Sequence, residues 1–389
     1  MNRRNLSDLR GAARLAVDAT VGVTDLVEKM HRTIQMGHAP VGDSRAGTTR
    51  GLTGLIYRTI RGTTRLVGKG IDAGITPITE LLPAGTSNET RNLIVSAVNG
   101  VYGDHLVATG NPLALEMSLL YQGQPASSEQ PGFVIDQSDS TVLTGKVMLF
   151  IHGLCLNETH WSSDGCNHGQ ELAAELGYTP LYLRYNTGLP IADNGRNLAN
   201  LLESLLRGWP HPVSELAIVG HSMGGLLARS ASHYGHVAGH DWLRHLHRLV
   251  SIGTPHHGAP LERGGNWLDY AMSLSPYVAP FMRISTKRSA GINDLAHGNI
   301  TDIERDFVSL PSNVKCYAMA ATLGKKQTRL AEALTGDGLV PLDSALGKHK
   351  DAGRTLMFPE HHQWIGFETG HLELLGSPDV YTQLRDWFE

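Results

Sequence analysis

Leu216-Ala217-Ile218-Val219-Gly220-His221-Ser222-Met223-Gly224-Gly225-Leu226-Leu227-Ala228-Arg229 is a strand, a tight turn and a helix in immediate succession. Four apolar residues without a polar break suit a strand buried on both faces, as in a parallel sheet. The turn carries the pattern Gly-x-Ser-x-Gly at Gly220, Ser222 and Gly224. Small residues are needed on both sides of that serine, because it occupies a strained backbone angle and the chain crosses itself closely there. Such a turn lifts the Ser222 hydroxyl clear of the sheet and sets it over the start of a helix. The unpaired N–H groups and positive dipole end of that helix then face any negative charge formed at the serine.

A serine hydroxyl is a poor nucleophile at neutral pH, so an imidazole must take its proton as it attacks a carbonyl carbon. A carboxylate on the other ring nitrogen sets the tautomer and stabilises the imidazolium. In a fold with this turn, the acid and the histidine come after the serine in that order. Asp337 lies in Gly336-Asp337-Gly338-Leu339-Val340-Pro341, a turn beyond the strand candidate Val314–Ala321. His371 lies in Thr369-Gly370-His371-Leu372, after a strand candidate at Arg354–Phe358 and before a closing helix over Asp379–Phe388. Asp302, Asp306 and Asp343 are rival acids, each more simply read as a solvated surface carboxylate. The rival base is His361.

Charge developing on the substrate oxygen calls for two backbone N–H donors, each lowering the barrier by roughly 2.7–4 kcal/mol. One is assigned to Met223, directly after the nucleophile. The other is assigned to Leu154, because Val147-Met148-Leu149-Phe150-Ile151 is a further buried strand and runs into His152-Gly153-Leu154. His152 itself is read as structural, packed beneath that loop.

Together these segments resemble the α/β-hydrolase family, and within it the bacterial lipase and esterase group that also holds relatives of GPI inositol deacylases. The resemblance rests on Phe150–Leu154, Gly220–Gly225, Ser251–Pro260, Asp337–Val340 and Gly370–Leu372, and spans about residues 145 to 389. It implies an α/β fold, a mostly parallel sheet with helices on both faces, and hydrolysis of carboxylic esters through an acyl-enzyme. It also implies that Gly253-Thr254-Pro255-His256 leads into a lid. Calcium-dependent lipases of the group place an aspartate two residues after the catalytic histidine. Glu373 stands there in this chain, so no calcium site and no cofactor are expected.

His256-His257 and His361-His362 lack the helical i, i+4 spacing of a zinc hydrolase, and no Cys/His framework accompanies them, so no metal is expected. Net charge is −4, from 33 basic and 37 acidic side chains among 389 residues. That balance leaves no electrostatic footprint for nucleic acid. Cys155 and Cys166 are near enough in sequence for a bridge, the reduced state being the default expectation. Arg3 and Arg4 precede no apolar stretch, since Asp8, Arg10, Arg14 and Asp18 interrupt it. A cytoplasmic protein with no spanning segment is therefore expected.

Residues 1–120 are expected to form an N-terminal helical region, and residues 121–389 the α/β-hydrolase domain. An apolar seam through Leu9, Ala13, Ala16, Thr20, Val23, Val27, Met30 and Ile34 marks a first helix. Residues 37–50 form a linker, Leu52–Ile78 a basic amphipathic helix, and Glu89–Tyr102 a third helix capped by Ser87 or Asn88. Packing among themselves or on the hydrolase domain is the simpler role for these helices. Peripheral contact with an anionic membrane is the functional one. An insertion over about 258–300 is rich in apolar and aromatic residues and is broken by prolines 276 and 280. It is expected to be a helical cap whose Trp267 and Phe281 line an acyl pocket. The resulting expectation is an esterase or lipase. Acyl transfer, or deacylation of a lipid-linked ester, would use the same triad. A non-catalytic membrane-associated scaffold is the alternative of another class, and the presence of Ser222, Asp337 and His371 speaks against it.

Overall fold

Alternation along the central strands builds two apolar layers from one sheet. In a computed structural model, residues 11, 14, 15, 17, 88–130, 132–134, 143–163, 166–259, 288–325 and 336–389 are described. Helix α1 spans Asn88–Ala108 and is followed by strands β1 (Ser118–Tyr121) and β2 (Gln124–Pro125). Then come β3 (Lys146–Ile151), α2 (His168–Leu176), β4 (Thr179–Arg184), α3 (Ile191–Gly208), β5 (Glu215–His221), α4 (Met223–Ala238) and β6 (Leu246–Ile252). Helix α5 (Ala290–His297), β7 (Lys315–Thr322), β8 (Gln363–Phe367) and α6 (Pro378–Phe388) complete the chain.

The sheet order is β8-β7-β6-β5-β3-β4-β1-β2. All neighbours from β8 to β4 pair in parallel, while β1 joins β4 and β2 antiparallel. Successive side chains of a strand point to opposite faces. Val147, Leu149 and Ile151 of β3 accordingly pack with α1, α3 and α4, whereas Met148 and Phe150 pack with α2 and α6. Both faces are therefore covered, as parallel strands require.

α1 begins at Asn88, one residue before the expected start at Glu89, and runs six residues past the expected end at Tyr102. Its Leu106 is fully buried, and Asn99 is tied to the following segment through Leu113 O (2.7 Å) and Leu115 N (2.9 Å). One strand expectation fails. Arg354–Phe358 is not a strand: Leu356 and Phe358 anchor it in the core, Met357 is 81% exposed, and its Leu356 N–H goes to Gly347 O. No strand lies alongside it among the described residues, and the strand before His371 is β8 instead. Cys155 and Cys316 are free, buried thiols. Among the described residues no helix is long and apolar enough to cross a membrane.

Candidate active site

Ser222 has φ 55° and ψ −120°, a backbone region that L residues rarely adopt and that costs of order 1–3 kcal/mol. Packing holds it there. Its N–H donates to Ile252 O at 2.8 Å, which locks the turn to the end of β6. On the helix side, a Cβ at Gly224 would lie 2.3 Å from Ile151 O, so only glycine lets α4 start against the end of β3. The serine is 1% exposed, and its Oγ makes no hydrogen bond among the described residues.

His371 follows β8, and Asp337 lies on the turn after β7. Asp337 Oδ1 accepts from the N–H groups of Leu339 (3.0 Å) and Val340 (2.8 Å), which leaves Oδ2 to meet His371 Nδ1 at 2.7 Å. A backbone bond from His371 N to Asp337 O (3.1 Å) joins the same two segments. Aspartate and histidine are 3% and 4% exposed, so this charge-assisted contact is shielded from water. The imidazole lies between two segments that flank Ser222. Its Cε1 is 3.2 Å from where a Cβ on Gly253 would stand, and its ring centroid is 4.7 Å from that of His221. His221 Nε2 also bonds His371 O at 3.0 Å. Burial, reinforced by the neighbouring His371, drives the His221 pKa well below the usual imidazole range and keeps it neutral.

The loop after β3 crosses directly above the serine. A Cβ at Gly153 would lie 2.9 Å from Ser222 Cβ. Cys155 N–H donates to Thr187 Oγ1 and the Tyr185 hydroxyl to His152 O (2.9 Å), so the segment after β4 holds this loop. Met223 is the first residue of α4, and its N–H has no acceptor within the helix. Serine, imidazole, carboxylate and both loop segments thus sit at the carboxyl ends of the parallel strands, where ligands of open α/β sheets bind.

A parallel sheet covered on both faces, a strained serine between β5 and α4, and an acid and a histidine after the last two strands define the architecture. This is an α/β-hydrolase fold. Residues 142–319 match the family described as the PGAP1-like alpha/beta domain, fewer than half of the chain's residues. The match includes Ser222 and ends before Asp337 and His371. No curated protein matches the sequence. Among solved structures, a mature lipase of Bacillus licheniformis is similar at 19% identity and TM-score 0.41, covering 62% of this chain and 91% of its own. A hyperthermophilic esterase of Pyrobaculum calidifontis is similar at 13% identity and TM-score 0.42, with 80% and 93% covered. A phospholipase of Legionella pneumophila is similar at 15% identity and TM-score 0.36, with 52% and 46% covered.

Within this α/β-hydrolase fold the rival residues fall elsewhere. His361 precedes β8 and so lies at the amino ends of the strands, away from the serine turn, where its neighbour His362 bonds Cys316 O (3.1 Å). Asp302 is exposed and paired with Arg196 and Tyr234, Asp306 meets Thr301, and Asp343 is exposed in a short helix. His152 stacks on Tyr185 (4.6 Å) with Nδ1 against Gly153 O, and burial lowers its pKa to about 4. Glu373 accepts from Gly370 N–H (2.7 Å), tying down the turn before the histidine. Among the described residues no group of three or more His, Cys, Asp or Glu is arranged to hold a metal. Trp267, Phe281, most of the 258–300 insertion, the second expected helix, the 37–50 linker, Ser87 and all of the first expected helix except residues 11, 14, 15 and 17, which are helical, lie outside the described residues. His221 was legible only as the variable position of the serine motif. Its link to His371 O joins residues 150 apart, which no local pattern announces.

Proposed function

We propose that this chain hydrolyses carboxylic esters through an acyl-serine intermediate. The observation that carries the proposal is the buried Asp337–His371 contact of 2.7 Å beside the strained turn of Ser222. Asp337 holds the proton on Nδ1, so Nε2 presents its lone pair as the base. Ser222 Oγ attacks the ester carbonyl carbon, its proton passes to Nε2, and the carbonyl electrons move to oxygen. The N–H groups of Leu154 and Met223 are assigned to that oxyanion, supported by the helix start and by the loop over Ser222. Collapse of the intermediate expels the alcohol, which takes the proton from Nε2. Water then repeats the sequence on the acyl-serine, releasing the acid and restoring the hydroxyl.

The burial of Ser222 supports a covered site, and the 258–300 insertion remains the proposed cap, with Trp267 and Phe281 in its acyl pocket. A fluorophosphonate probe tests the chemistry directly. The protein is expected to label, and Ser222→Ala to remain unlabelled while hydrolysing no p-nitrophenyl ester. A folded wild-type protein that neither labels nor turns over short or long acyl esters would refute the proposal.

A further inference from the structure

Arg229 stands seven residues after Ser222 on α4, roughly 10 Å along the helix axis. It is 5% exposed, yet no carboxylate pairs with it among the described residues. One guanidinium nitrogen donates to Val308 O (2.7 Å) and another meets His256 Nδ1 (3.3 Å). If that ring nitrogen accepts, the proton of neutral His256 is on Nε2. Both His256 Nε2 and Arg229 Nε are buried, and neither makes a hydrogen bond among the described residues. Arg354 Nε, on a third segment, is in the same condition. A buried charge and several buried donors without acceptors are costly, and a fold retains them where something from outside completes them.

All three residues line one pocket of about 380 Å³, and Arg305 and Lys350 stand at its edge, both exposed. Asp306 is the acid there, and its carboxylate accepts from Thr301 Oγ1 (3.3 Å) rather than pairing with any of these cations. Cations therefore converge from α4, from the segment before β7 and from the 347–354 loop. A single planar carboxylate is satisfied by one arginine fork, whereas donors approaching from several directions suit a tetrahedral group with two charges. We propose that this pocket binds a phosphoryl group, as free phosphate, a soluble phosphate ester or a lipid headgroup. The volume accommodates such a group together with a small polar substituent. Burial holds the Arg229 guanidinium down at about 10 and His256 well below the usual imidazole range. A bound anion would oppose both shifts.

Calorimetric titration of the full chain with inorganic phosphate at constant ionic strength tests this, using Arg229→Gln and the surface pair Arg305→Gln/Lys350→Gln. The wild type is expected to bind one phosphate saturably, and the surface pair to bind it roughly tenfold more weakly, since two charges in water are removed. Hydrolysis of a neutral soluble ester by that pair should stay at the wild-type rate, which separates failure of this site from failure of the proposed catalysis. Sedimentation with phosphatidylcholine vesicles, with and without phosphatidic acid, distinguishes the sources. Phosphate-competed binding to the acidic vesicles assigns a headgroup, and phosphate binding without vesicle binding assigns a soluble ester. Absence of saturable phosphate binding to the wild type would overturn the proposal. So would affinity unchanged in the surface pair and in folded Arg229→Gln.

Discussion

Replacing Asp337 by asparagine preserves shape and removes one charge, and the hydrogen bonds around it determine how the histidine responds. Oδ1 accepts two backbone N–H groups, from Leu339 and Val340. An asparagine keeps both by turning its carbonyl oxygen toward them, which points its NH₂ at His371 Nδ1 across the 2.7 Å contact. Nδ1 must then accept, so the ring proton moves to Nε2, the nitrogen needed as the base. The fold keeps its backbone bonds while the imidazole is held in the wrong tautomer. By the cost of that exchange in serine hydrolases, kcat should fall about 10⁴-fold, or about 5 kcal/mol of transition-state stabilisation. Stability should change by no more than about 1 kcal/mol, because the lost interaction is one charge-assisted bond replaced by a neutral one. The assay is p-nitrophenyl ester turnover alongside urea unfolding. An asparagine variant within about tenfold of wild-type kcat would refute the assigned role of the carboxylate. Loss of folding would instead show that Asp337 is chiefly structural.

The same geometry sets further outcomes. Gly224→Ala would drive a methyl group to 2.3 Å from Ile151 O and 2.9 Å from His152 O, both backbone, so the start of α4 must shift. Stability should drop by about 1–3 kcal/mol, and an unchanged Tm would contradict the close approach. Buried histidines impose an acid limit. Burial lowers His152 and His168 to about 4 in the folded protein, below the ordinary value of 6.5. The unfolded chain therefore binds more protons between those values, and stability is full above pH 6.5 and is lost as pH falls toward 4. At about pH 5 each histidine should cost about 2 kcal/mol relative to neutral pH. Urea unfolding that is flat between about pH 5 and about pH 7.5 would show these rings to be solvated.

The elements around the serine were legible because their signals are local. Unbroken apolar runs mark β3 and β5, and small residues must stand where α4 meets Ile151 O. The order of serine, acid and histidine comes from the connectivity of a parallel sheet, so Asp337 and His371 could be placed without any contact being known. Arg354–Phe358 misled for a physical reason. Its alternation of buried and exposed residues imitates a strand, but two side chains pin a lone extended segment in a loop. Edge strand β8 carries the opposite disguise: only Gly366 of its five residues is buried, so it shows little apolar periodicity. Arg229 was unreadable as anything but a solvated helix residue. Its helix is buried through Ser232, which depends on α3 packing against it rather than on its own composition.

The bond from His221 Nε2 to His371 O joins the serine turn to the segment that carries the imidazole. During synthesis the serine turn emerges well before the segment that carries His371, and until β8 docks beside β7 the contact of that imidazole with Asp337 is not made. On the proposed chemistry, a nascent chain is expected to turn over no ester before that docking. Proteolytic nicking between Asp337 and His371 is expected to abolish the proposed activity of a finished molecule in the same way, if the severed tail were released.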